Sequence, residues 1–164
     1  MIVVADTSPL NYLILIGEPN LLYRLYGRVV IPRAVLSELQ AAGAPSVVID
    51  WIKDSPPWLE VSEVTVPLKE GSEELEAGES EAIALAEKYG PDVLLLMDEE
   101  VGRREAQRRG IRTTGVLGLL DDAAARGLVN LSEAIERLRT TNFRVPDSLL
   151  DWFLARDRRR MQGG

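Results

Sequence analysis

The run Val93-Leu94-Leu95-Leu96-Met97, closed by Asp98-Glu99-Glu100, decides how this chain is read. Five consecutive apolar residues with no polar alternation describe a strand covered on both faces, the habit of parallel sheets. Asp98 stands where that strand ends. Upstream, Ile2-Val3-Val4-Ala5 has the same character and ends in Asp6, and Val29-Val30-Ile31 ends at Pro32. Residues 59–66 predict another strand, although Val61, Val64 and Val66 do not alternate cleanly, and residues 111–114 predict a short one. Helical patterns fill the intervals. Leu10, Leu13 and Ile14 follow the cap-like Thr7-Ser8-Pro9; Val35, Leu36 and Leu39 follow Pro32. Further helices are expected over residues 46–52, 79–89, 116–126 and 131–139. An arginine-rich helix ends at Gly110, and a last one runs from Val145-Pro146-Asp147 to about Arg158. The acidic stretch 67–78 reads as a loop or a short helix.

Strands alternating with helices predict an α/β fold: a parallel sheet of four or five strands with helices on both faces. No repeat or linker divides it. One domain over residues 1–158 and a disordered tail over 159–164 are expected. The apolar opening is interrupted by Asp6 and lacks a basic flank, and no stretch is long enough for a membrane span, so a soluble cytoplasmic protein is expected.

The chain has 164 residues, no Cys and no His, and a formal net charge of −7. Thiolate zinc sites, cysteine nucleophiles, Ser-His-Asp triads and His-ligated metals are therefore excluded. The charge is unevenly spread. Residues 1–100 hold 6 basic and 18 acidic side chains, net −12; residues 101–164 hold 13 and 8, net +5. Binding to duplex nucleic acid through a globally basic surface is disfavoured. An acidic site rimmed by arginines fits the split, as do helix faces that merely differ.

In open parallel sheets, ligands gather at the carboxyl ends of the strands. Asp6 and Asp98 both stand at such ends, where either alone is most simply a turn or cap residue. Glu38 borders the apolar stripe Val35-Leu36-Leu39. Glu79 and Glu81 open a helix, a position the helix dipole alone favours. Glu79 lies in line with Ala82, Ile83 and Ala86, and so ranks ahead of Glu81. Carboxylates converging in one crevice raise each other's pKa or require a cation. Oxygen ligands without His or Cys select Mg²⁺ or Mn²⁺, ions suited to chemistry at phosphorus.

The ordered set VVADTSPLNYL, VIPRAVLSEL, GESEAIALA, LLLMDEEVGRREAQRRGIRTTGVLGLL and NFRVP resembles PIN-domain proteins. It is most similar to the branch of VapC-like toxin ribonucleases from type II toxin–antitoxin pairs. The resemblance implies a three-layer α/β/α sandwich, a Mg²⁺- or Mn²⁺-dependent endoribonuclease acting on single-stranded RNA, a homodimer, and a small antitoxin partner. It maps the four acids onto Asp6, Glu38, Glu79 and Asp98, and a supporting hydroxyl onto Ser8, with Asn11 as a polar neighbour. In this reading the four acids hold one or two divalent ions that activate water for in-line attack on a phosphate. Two positions depart from the toxin pattern. The third acid is Glu rather than Asp, with Glu81 competing for the place, and Asp98 is followed by Glu99 and Glu100 where an Asp-x-Asp pattern is usual, which makes Glu99 an assisting candidate.

Arg104 and Arg108 share one face of the helix after Asp98 and are candidates for RNA contact, against an ordinary salt-bridged surface. Trp51, Trp58 and Trp152 suit packing better than base stacking. A dehalogenase-type phosphatase needs an acid two residues after Asp6, where Ser8 stands. A receiver-like domain needs a lysine on a late strand, and none is present. A PIN-fold module that binds RNA or protein without cleaving it is the remaining alternative.

Overall fold

The computed structural model describes residues 1–66 and 75–163. Most of the acidic stretch 67–78 lies outside the described residues. Five strands are found among those described: β1 (Ile2–Ala5), β2 (Val29–Pro32), β3 (Leu59–Ser62), β4 (Val93–Leu96) and β5 (Arg112–Thr114). All pair in parallel, in the order β3-β2-β1-β4-β5. The expected third strand is shorter than its valines suggested. Beyond Ser62 the chain leaves the sheet, and Val61 and Val66 are exposed.

The helices are α1 (Thr7–Leu15), α2 (Leu21–Tyr26), α3 (Arg33–Gln40), α4 (Ser46–Lys53), α5 (Ala77–Tyr89), α6 (Glu100–Arg108), α7 (Val116–Ala125), α8 (Leu131–Arg139) and α9 (Asp147–Gln162). Strand residues alternate between two cores. Val3, Ala5, Val29, Ile31 and Leu96 pack with α1, α3, α7 and α8 on one face. Val4, Val30, Leu95 and Met97 pack with α5 and α6 on the other. Both faces are covered, which is why these strands read as continuous apolar runs. The result is a three-layer α/β/α sandwich.

Three boundaries differ from the sequence expectation. Pro32 ends β2 rather than opening the helix, since it lies in extended backbone at φ −76°, ψ 164°. Helix α5 begins at Ala77, two residues before Glu79. Helix α9 continues to Gln162, past the expected end at Arg158 and into the expected disordered tail. Arg160 explains the extension: it pairs with Asp121 on α7 at 3.0 Å and with Asp157 on its own helix at 2.9 Å, which ties down the last turns. No helix among the described residues is long and apolar enough to cross a membrane.

Candidate active site

The strand order reverses between β1 and β4. The chain runs from β1 outward to β2 and β3, then returns to place β4 on the other side of β1. Crevices at such reversals, beyond the carboxyl ends of the strands, are where open α/β sheets hold ligands. Asp6 and Asp98 flank this one. The Asp6 N–H donates to Leu96 O at 2.9 Å, and the Met97 N–H donates to Thr114 O at 2.9 Å, so the ladder persists to the edge where the acids emerge.

Asp6 is only 4% exposed. Burial lifts its carboxyl to about 7; the Thr7 backbone N–H opposes this, while the charges of Glu79, Glu38 and Asp98 add to it. Asp98 is also raised, first by burial, against the pull of the Val116 N–H and Arg103. Val116 starts α7, and its N–H donates to Asp98 Oδ1 at 3.0 Å. Gly115 makes that approach possible, because a Cβ there would lie 2.5 Å from the same oxygen. The other oxygen, Oδ2, is buried and has no hydrogen-bond partner. A buried acceptor in that state is costly unless a ligand satisfies it.

Glu38 and Glu79 come from two packed helices. The Thr7 hydroxyl donates to Glu38 Oε2. Gly78 sits against the same carboxylate, and any Cβ at that position would overlap it. A glycine is therefore needed for α5 to start beside α3, and it delivers Glu79 into the crevice in the next position. Burial raises the Glu79 pKa most, followed by the charges of Glu76 and Glu99; Glu38 contributes further, and the Glu76 backbone opposes. Glu79 thus shares its field with Asp6, Glu38 and Glu99. Glu81 points elsewhere: its Oε1 accepts the Ala34 N–H at 3.0 Å, satisfying a free donor in the first turn of α3. Of the two neighbours, Glu79 belongs to the acidic cluster and Glu81 to the helix start.

The other expected residues are distributed as follows. Ser8 and Asn11 are half-buried in the first turns of α1, but the hydroxyl that reaches Glu38 is that of Thr7. Glu99 is exposed at the head of α6. Arg104 pairs with Glu100 at 3.5 Å and Arg108 with Glu105 at 2.6 Å, each an acid of its own helix. Their shared face is therefore a salt-bridged surface. Arg103, the residue before Arg104, is the arginine whose charge acts on Asp98. Trp51 and Trp58 pack against the core, and Trp152 is 51% exposed on α9.

The donor set consists of carboxylate oxygens without nitrogen or sulfur, which suits a hard divalent cation. The orphaned Asp98 Oδ2 and the mutual repulsion at Asp6 are two features that such an ion would relieve. As placed, no three acidic side chains among the described residues stand close enough to enclose one ion.

A parallel sheet with a reversal flanked by two acids, one buried and one half-buried, supplemented by two more from facing helices, defines a class: an α/β domain with an acidic pole and nuclease-type architecture. The chain belongs to the PIN-domain family, whose model matches residues 2–158. Among solved structures it is similar to a PilT N-terminus domain protein from the hyperthermophilic archaeon Sulfolobus solfataricus, with 22% identity over 75% of this chain and 93% of that one, at a TM-score of 0.54. That likeness concerns the fold. No curated protein matches the chain significantly.

Proposed function

We propose that this protein is a Mg²⁺- or Mn²⁺-dependent endoribonuclease that hydrolyses phosphodiester bonds of single-stranded RNA. PIN domains are generally nucleases and typically use divalent metals, which supports the reading at the level of the family. The observation that carries it for this chain is the pair of acids at adjacent strand ends, buried Asp6 and half-buried Asp98, the latter with an unsatisfied buried oxygen. A divalent cation, when bound, supplies Lewis acidity and an activated water at phosphorus.

The chain's own residues then have distinct tasks. Asp6 and Asp98, held by the strand ends, would be the principal ligands of such an ion. Gly115 and the Val116 N–H fix one Asp98 oxygen and leave the other free for the ion. Glu38, braced by the Thr7 hydroxyl, and Glu79 complete the negative cluster and are placed to orient an attacking water. Glu99, at the rim, adds to the field on Glu79. Ser8 and Asn11 remain candidates for positioning within the crevice. In this proposal the protein acts in the cytoplasm as a homodimer and is restrained by a small antitoxin protein.

The test is incubation of purified protein with labelled single-stranded RNA and Mn²⁺, with EDTA and Asp6→Asn as controls. Cleavage that disappears in both controls supports the proposal. Cleavage persisting in Asp6→Asn marks contamination. A second reading, a binding module without cleavage, is favoured by the open spacing of the acids; RNA retained without turnover or metal uptake would select it.

A further inference from the structure

Beside Asp98, away from Glu38 and Glu79, lies a cavity of about 330 Å³ between β5, α7, the turn before α9 and α9 itself. It is at the small end of the range for ligand sites, roughly 300–1,000 Å³. Its rim carries Arg103 and Arg144, and its wall carries Phe143, Leu149 and Phe153. Neither arginine forms an ion pair with a carboxylate among the described residues. Arg144 is instead oriented by backbone: it donates to Thr141 O at 3.1 Å and to Phe143 O at 2.9 Å. Tyr12 ties the same turn to the crevice, since its hydroxyl donates to Asn142 Oδ1 at 2.8 Å and its ring meets Phe143 edge-on. The charges of Asp98 and Arg144 both act on Tyr12. Glycine lets the α7 wall sit close to β5: a Cβ at Gly118 would overlap the Thr114 hydroxyl.

We propose that this cavity is a nucleotide subsite for single-stranded RNA, flanking the place of the scissile phosphate at the acidic crevice. Arg103 and Arg144 contact backbone phosphate, and the Phe143–Leu149–Phe153 wall receives one base. The inference rests on the nuclease reading and adds to it which side of the acidic crevice the RNA strand follows. Two properties argue for nucleic acid as occupant. Two guanidiniums without carboxylate ion pairs, one of them oriented by backbone carbonyls, suit phosphate. An aromatic and aliphatic wall beside them suits the face of a base. The position of Asp98 as a lining residue makes the cavity continuous with the acids. Exposure of Leu149, at 39%, leaves the wall accessible.

The experiment is equilibrium binding of short fluorescein-labelled single-stranded oligoribonucleotides to the full chain in EDTA, titrated over salt concentration. Wild type should bind saturably. Arg103→Gln and Arg144→Gln should each weaken binding by about tenfold and lower the salt slope by about one. Leu149→Ala should weaken binding severalfold with the salt slope unchanged. Arg159→Gln, an equal charge change elsewhere on α9, should leave binding as in wild type. Thermal unfolding of each variant reports whether it is folded.

Absence of RNA binding overturns the proposal, as does an equal loss in Arg159→Gln. Sedimentation showing that Arg144→Gln and Leu149→Ala split a dimer, with RNA affinity unchanged, overturns it in favour of an interface between copies. RNA binding with the stated dependences but no Mn²⁺-dependent cleavage upholds the subsite and removes the nuclease reading. Asp6-dependent cleavage with Arg103→Gln and Arg144→Gln behaving as wild type removes the subsite alone.

Discussion

Asp121 and Asp6 are equally hidden, at 6% and 4% exposure, yet their surroundings are opposite. Asp121, on α7, accepts from Arg156 at 3.1 Å and from Arg160 at 3.0 Å, so both of its oxygens meet a guanidinium. Asp6 has three further carboxylates in its field and no cation among the causes acting on it. A buried acid with matched arginines is a fastening; here it holds α9 against α7. A buried acid surrounded by acids opposes folding unless something outside the chain compensates it. The contrast separates compensated from uncompensated buried charge in one molecule, without reference to any relative.

Substitution at the two acids should give opposite results. Asp6→Asn should reduce RNA cleavage by about a hundredfold or more, the scale of losing an electrostatic element of catalysis, while its thermal midpoint holds or rises. Asp121→Ala should instead lower unfolding stability by about 1–3 kcal/mol, since both arginines lose their partner and remain partly solvated. RNA cleavage per folded molecule should remain near wild type. Denaturant unfolding paired with a cleavage assay measures both. Loss of activity without loss of stability in Asp121→Ala would break the comparison.

The pH dependence of stability follows from the same contrast. Asp6 titrates near 7 in the fold and near 3.9 when unfolded, so the native state holds more protons in between. Without metal, stability should therefore fall as pH rises from about 4 to about 7, by about 1–3 kcal/mol. The fall should flatten in Asp6→Asn and persist in Asp121→Asn. Urea unfolding across that window in EDTA gives the slope directly. A slope unchanged by Asp6→Asn would mean that the crevice is not where the strain of charge resides.

The smallest expected effect sharpens the assignment of the two glutamates on α5. Glu81→Ala should cost about 1 kcal/mol, the value of a satisfied donor at a helix start, with cleavage kept within a few-fold. Glu79→Ala should lower cleavage strongly with little change in stability. Reversal of that pattern would move the third acid to Glu81.

The layers of the fold were legible because both cores lie against uninterrupted apolar strands, so Ile2–Ala5 and Val93–Leu96 announced themselves. Asp6 and Asp98 were legible for a related reason, since the end of a buried strand is a position that local sequence reveals. Its line of small residues ranked Glu79 ahead of Glu81 without deciding between them; the close approach of Gly78 to Glu38 is a tertiary contact that local pattern does not carry. The arginines were not legible. Spacing on one helix singled out Arg104 and Arg108, but the same spacing offers Glu100 and Glu105 as intrahelical partners. Which guanidinium is left facing Asp98 depends on how α6 is rotated against the sheet. The cavity beside Asp98 joins Arg103 to Arg144 across residues far apart in the chain, and local pattern carries no trace of that meeting. The helical end of α9 was missed for the same reason, because its anchor, Asp121, is distant in sequence.

The uncompensated acids at the carboxyl pole are proposed to bind a divalent cation. Calorimetric titration of Mn²⁺ into wild type, Asp98→Asn and Asp121→Asn at pH 8 tests this most directly. Saturable binding in wild type and in Asp121→Asn, lost in Asp98→Asn, is the predicted result. Binding that survives Asp98→Asn unchanged, or no saturable binding in wild type, would contradict the account.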